Sequence, residues 1–181
     1  MPDGRFVFLD RDGTLVRDVG YGYRLADYEL LPGVVDALRV LSAAGYRFAI
    51  VTNQSGIARG IFSHAEFEVF HRRLLNDLDR AGIAIEATYM CPHLPDARCD
   101  CRKPSPTPLL RARDVLGADL PRSWVVGDHA VDVELAARAG CRGILVTTGH
   151  GEEERARLTV ATPVVADLAA AARHILACAP A

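Results

Sequence analysis

The chain has 181 residues, half of them apolar, which is enough for one domain with a sizeable core. A formal net charge of −2 removes the electrostatic case for nucleic-acid or membrane-surface partners. No apolar run reaches the ~18 residues of a membrane span, and "MPDGRF" lacks a basic segment leading into a long apolar one. Neither an anchor nor a secretion signal is expected, and a cytoplasmic location is the default.

Short β-rich runs alternate with helical stretches along the chain. "RFVFL" (5–9) reads as a strand, and a helix is expected from near Pro32 to just before Gly45, with proline at its start and glycine past its end. "YRFAIVT" (46–52) is a second strand. "SHAE" reads as a capping box, Ser63 with Glu66, opening a helix that runs to about Arg80. There follow strand "IEATYM" (85–90), helix "PTPLLRARDVLG", strand "SWVVG" (123–127), helix "DVELAARAG", strands "RGILVT" (142–147) and "PVVAD" (163–167), and helix "DLAAAARHILACA". "GEEERAR" reads as a solvated helix face. Several strands are nearly continuous Val/Ile/Phe, as strands covered on both faces are. The expected fold is α/β: a three-layer, Rossmann-like parallel sheet with helices on both faces. No repeat, low-complexity tract or linker interrupts it, so residues 1–181 read as a single domain.

Ligands of such sheets bind beyond the carboxyl ends of the strands. Three of those ends carry small polar or acidic residues: "LDRDGT", "VTNQSG" and "WVVGDHAVD". Asp10 and Asp12 point to the same side of an extended segment. Two close carboxylates repel and separate in pKa, which suits one nucleophile and one acid/base. A divalent cation relieves the repulsion. Asp10, Asp12 and Asp128 offer hard oxygen, with a backbone carbonyl, water and substrate phosphate to complete a Mg²⁺ octahedron. A calcium loop does not fit, because its fifth and twelfth positions hold Thr14 and Tyr21. A serine nucleophile elbow does not fit either, because Asn53 stands two residues before Ser55.

Three of the five cysteines fall in "CPHLPDARCDCRKP". Cys91, His93, Cys99 and Cys101 fill a tetrahedral Zn²⁺ shell with no open position, which implies a structural ion. Arg102 and Lys103 follow directly, so an ion there would stiffen a proline-rich loop and hold both cations over the crevice. Cys141 and Cys178 read as ordinary small apolar residues.

"FLDRDGTL", "VTNQSG", "RKP" and "GDHAVD" together resemble, in order, the four motifs of the haloacid-dehalogenase superfamily of phosphotransferases, over residues 5 to about 150. The resemblance implies that Asp10 attacks phosphorus and becomes an aspartyl-phosphate, while Asp12 serves as general acid and base. It implies that Thr52 hydrogen-bonds a phosphoryl oxygen, Lys103 neutralises the transferring group and Asp128 holds Mg²⁺. Asp132 orients Lys103 or caps the next helix; both readings stay open. "TNQSGIARG" and "CDCRKP" are similar to the zinc-containing branch of heptose 1,7-bisphosphate and histidinol-phosphate phosphatases. That likeness implies substrate contacts from Asp18, Val19, Gly20 and Tyr21, from Asn53, Gln54 and Ser55, and from Arg102, whose planar fork suits phosphate. His129 departs from the lysine that often follows the fourth-motif aspartate in the heptose enzymes; it remains a candidate phosphate contact.

Asp10 and Thr52 lie 42 positions apart, and Thr52 and Lys103 lie 51 apart. These intervals are filled by the elements already named, so no cap domain fits and the site is expected to be open. Selectivity then falls to loops 16–27, 53–60 and 91–104. The expectation is a monomeric Mg²⁺-dependent phosphomonoester hydrolase with a structural Zn²⁺, acting on a small phosphorylated sugar. Removal of the 7-phosphate of heptose 1,7-bisphosphate comes first and histidinol phosphate second.

Overall fold

The computed structural model describes residues 4–178. Residues 1–3, part of the "MPDGRF" reading, and Ala179, the last position of the expected final helix, lie outside them. Six strands, β1 (Phe6–Leu9), β2 (Arg47–Asn53), β3 (Ile85–Cys91), β4 (Trp124–Gly127), β5 (Arg142–Val146) and β6 (Val164–Val165), form one sheet in the order β3-β2-β1-β4-β5-β6. Every pairing is parallel. Helices α1 (Val34–Ala43), α2 (His64–Arg80), α3 (Thr107–Leu116), α4 (Ala130–Ala139), α5 (Gly151–Glu154) and α6 (Leu168–Ala177) connect and flank the strands.

The period-two alternation of β1 divides the core. Val7 and Leu9 pack with Leu38, Phe70, Leu74 and Ile175 on one side of the sheet. Phe6 and Phe8 pack with Leu109, Ala112, Leu135 and Ala136 on the other. Both faces of the central strands are therefore dry, which is why their sequences read as unbroken apolar runs. The caps follow the sequence: Ser63 accepts the Glu66 backbone N–H while Glu66 reaches back to the Ser63 N–H. α4 begins two residues before the expected stretch, and β6 contains only two residues. Cys141 packs against the second core layer, but Cys178 is exposed and not a core residue.

"GEEERAR" is more than a solvated face. Glu154 is 8% exposed and its carboxylate accepts the Ala130 N–H at 3.0 Å. It satisfies an open donor at the start of α4, where a negative charge is favoured.

The strand order reverses between β1 and β4, and this is where the fold opens a crevice. Between β1 and α1 the chain forms a loop closed at its base by Arg17 N–H to Glu29 and Leu31 N–H to Leu15, with one 3-10 turn at Leu25–Asp27. Among the described residues, neither this loop nor the turns of 54–63 holds a further helix or strand. Among the described residues, no helix is long and apolar enough to cross a membrane.

Candidate active site and metal centre

The crevice lies at the carboxyl ends of β1, β2 and β4 and encloses about 710 Å³. Asp10 extends β1, its backbone N–H donating to Val126 of β4 at 2.9 Å. Its Oδ1 accepts Lys103 Nζ at 2.6 Å, and the same ammonium lies 2.7 Å from Asp132 Oδ1. All three groups are buried. Burial pushes the Asp10 carboxyl up to about 6, with Asp132 and Asp12 adding and Lys103 opposing. At neutral pH Asp10 is still ionised. Burial also works against the charge on Lys103, but Asp10 and Asp132 more than offset it and hold the ammonium above its ordinary value.

Asp132 combines the two roles that its position leaves open. One oxygen faces Lys103, and the other accepts the His129 backbone N–H at 3.1 Å at the start of α4. Glycine is required beneath it, because a Cβ on Gly127 would fall 2.1 Å from Asp132 Oδ2.

Asp128 is fully buried at the end of β4. Its Oδ2 accepts the His150 N–H at 2.8 Å and its Oδ1 meets His129 Nδ1 at 2.7 Å. Gly13, in the left-handed region at φ +77°, lets the loop pass over this carboxylate; a Cβ there would lie 2.1 Å from Oδ2. Burial raises the Asp128 carboxyl above its usual range. The bond to Asp128 pushes His129 up to about 9, against its own burial. The contact with Asp128 thus favours the protonated form of this imidazole. Asp10, Asp128, His129 and Asp132 each bring a donor atom within 4.8 Å of the others, close enough for one metal ion. Asp10, Asp128 and Asp132 are its hard-oxygen members, and Lys103 already contacts both Asp10 and Asp132.

The β2 end is tied inward. Gln54 Nε2 donates to Asp12 Oδ2 at 2.8 Å and to Thr52 Oγ1 at 2.7 Å. Asn53 accepts the Lys103 backbone N–H at 3.1 Å and donates to its carbonyl at 3.4 Å. Both residues were expected at the substrate, and both spend these polar groups on neighbouring site residues while lining the crevice. Asp18, Gly20, Tyr21, Ser55, Arg102 and His129 line it too; Val19, 45% exposed, is not among the lining residues.

The cysteine loop converges as its spacing predicts. Cys91 Sγ lies 3.6 Å from His93 Nδ1 and 3.7 Å from Cys99 Sγ, and His93 Nδ1 lies 3.2 Å from Cys101 Sγ. These are close to the edges, about 3.3–3.8 Å, of a tetrahedron around an ion ~2.0–2.3 Å from each donor. A sulfur pair at 3.7 Å is far from the ~2.05 Å of a disulfide, and all five cysteines are free. Burial pushes the Cys91 thiol up to about 12, so a thiolate there calls for a bound cation. Arg102 donates to the His93 carbonyl at 3.1 Å and so belongs to this loop, while Lys103, joined to Pro104 by a cis peptide bond, belongs to the crevice.

Two contributors escape a motif reading. Arg11, between the two aspartates, is fully buried and chelates Asp12. A signal existed in "FEVFH", which places Phe67, Phe70 and His71 on one helical face beneath it. His150 reaches Asp18 at 3.2 Å while its backbone holds Asp128; no pattern in "TTGHG" announces this.

Residues 7–66 match the family of haloacid dehalogenase-like hydrolases, and residues 100–171 match a second, HAD-hydrolase-like family. A D-glycero-beta-D-manno-heptose-1,7-bisphosphate 7-phosphatase of Salmonella typhi is 42% identical over 151 residues, 79% of this chain and 80% of that protein. The Pseudomonas putida enzyme of the same name is 39% identical over 174 residues, 95% of this chain and 99% of its own. A crystal structure of D,D-heptose 1,7-bisphosphate phosphatase from B. bronchiseptica, complexed with magnesium and phosphate, superposes with a TM-score of 0.89 at 36% identity, covering 97% of this chain and 99% of that one.

Proposed function

The chain belongs to the haloacid dehalogenase-like hydrolases, and from that premise we propose that it hydrolyses a phosphomonoester through an aspartyl-phosphate, its substrate being D-glycero-β-D-manno-heptose 1,7-bisphosphate and its product the 1-phosphate. The observation that carries the chemistry is the buried Asp10–Lys103–Asp132 chain, with contacts of 2.6 and 2.7 Å. It pairs an ionised carboxylate with a fixed cation, as phosphoryl transfer requires. The substrate rests on the two relatives at 39 and 42% identity.

Asp10 attacks phosphorus, the phosphorus–ester oxygen bond breaks, and Asp12 gives its proton to the departing sugar oxygen. Water then attacks the aspartyl-phosphate, Asp12 takes the proton from it, and the phosphorus–Asp10 bond breaks to release phosphate. Lys103 faces the transferring group throughout, held by Asp132 and Asn53. Thr52 lies beside it as a hydroxyl for a phosphoryl oxygen. Arg102, Tyr21 and Ser55 line the wall available to the sugar and its second phosphate.

Asp10 and Asp128 would hold Mg²⁺, with Asp12 beside them, and the ion would neutralise charge at the phosphoryl oxygens. Cys91, His93, Cys99 and Cys101 suit a structural Zn²⁺, and the free thiols fit a reducing, cytoplasmic setting. The test is phosphate release with Mg²⁺ from both anomers of the heptose bisphosphate, histidinol phosphate, fructose 1,6-bisphosphate and a 3′-phosphorylated oligonucleotide. A preference on the order of a hundredfold or more in kcat/KM for the β-anomer is expected. Equal, weak rates across the panel would withdraw the sugar and keep the chemistry.

A further inference from the structure

We infer that Arg11 is a positioning residue. It holds the Asp12 carboxylate in its working orientation and ties it to the loop that meets the substrate. The inference rests on the acid/base role proposed for Asp12.

Arginine between two catalytic aspartates is an expensive choice, because a guanidinium is costly to bury unless its donors and charge are matched. Arg11 has no exposed side-chain surface; Nε and Nη2 are hydrogen-bonded, while Nη1 is buried without a hydrogen-bond partner. Its Nε donates to Asp12 Oδ2 and its Nη2 to Asp12 Oδ1, both at 2.9 Å, a fork-to-fork pair that leaves the carboxylate no rotational freedom. The same Nη2 donates to the Gly22 carbonyl at 2.9 Å. Gly22 lies in the loop after β1 that also carries Asp18, Gly20 and Tyr21, so one side chain links the acid/base to the crevice wall. The guanidinium lies 4.8 Å from the ring centre of Phe70 and 5.1 Å from that of Phe67. Both rings project from α2, and the favourable cation–aromatic contact fixes the plane of the fork. His71, stacked on Phe67, is neutral near pH 7, so no second charge competes in this layer.

Lysine cannot reproduce this geometry. It offers a point charge in place of two parallel donors in one plane. Gln54 would keep its one bond to Asp12, so the carboxylate would remain bound but would swing. A displacement of that kind costs most where a proton must be delivered to a poor leaving group.

The test compares Arg11→Lys with the wild-type chain on two small substrates that make no sugar contacts. Glycerol 3-phosphate has an alkoxide leaving group that needs the proton; p-nitrophenyl phosphate has one that does not. For the variant, kcat/KM on glycerol 3-phosphate is expected to fall on the order of 10- to 100-fold, and that on p-nitrophenyl phosphate by less than about threefold. An equal fall on both substrates would make Arg11 a packing residue and overturn the inference, and no fall on either would do the same. Should Arg11→Lys not fold, Arg11→Gln, which keeps a donor on a buried stem, takes its place in the same comparison. Failure of the phosphatase reading itself is distinct: there the wild-type chain releases phosphate from neither these two compounds nor the heptose bisphosphate faster than Asp10→Asn does.

Discussion

The crevice and the cysteine loop meet at adjacent residues, Arg102 and Lys103, yet are held by opposite means. Around the crevice, Asp10 and Asp128 follow the ends of β1 and β4, Asp132 stands in α4, and the buried Lys103 ammonium pairs with Asp10 and Asp132. Their geometry is a by-product of the sheet. In the cysteine loop, His93 is exposed, Cys99 and Cys101 are half-buried, and only Cys91, at the end of β3, belongs to the core. The loop has too little apolar area to order itself, so four converging donors take the place of a core. A buried polar network needs every partner, whereas a loop cross-linked through four converging donors would need an ion.

The comparison is broken most severely by Asp10→Asn. Phosphate release should fall on the order of 10⁴-fold or more, because the proposed nucleophile is gone; thermal unfolding should show that the chain still folds. Lys103→Met comes next. Loss of the fixed cation should reduce kcat by about 10²- to 10³-fold. It also leaves Asp10 and Asp132 facing each other unpaired, so chemical denaturation should show a stability loss of roughly 3–5 kcal/mol.

A pH titration of stability sharpens the crevice side. Burial, then the nearby Arg11 charge, lowers His71 to about 4. The unfolded chain takes up this proton from about pH 6.5 downward and the folded chain does not until about 4. Stability from this residue is therefore complete above about pH 6.5 and should decline by roughly 3 kcal/mol as pH falls to 4. His71→Leu should flatten that part of the curve, measured by denaturation at several pH values.

The smallest effect is expected on the loop side. Cys99→Ser should eliminate bound zinc, read by elemental analysis. Activity should fall about tenfold through looser placement of Arg102 and the start of the Lys103 segment. Asn53, Asp10 and Asp132 still hold Lys103, which sets the limit. Full activity in a zinc-free variant would show that the loop does not support the crevice at all.

Local pattern determined a large part of this protein. The strands, the Ser63 capping box and the parallel sheet follow from periodicity and end signals, which act over a few residues. The cysteine cluster was legible for the same reason, since all four donors fall within eleven positions, 91–101. The partners of a side chain were not legible, because they arrive from distant parts of the chain. Arg11 belongs to no motif reading, and α2 brings Phe67 and Phe70 against it. Glu154 reads as solvated until it meets the first turn of α4, and Asn53, expected at the substrate, also holds the Lys103 backbone from fifty residues away. Charge and hydrogen-bonding capacity are properties of a residue, whereas their satisfaction is a property of the folded neighbourhood, and burial makes that satisfaction obligatory.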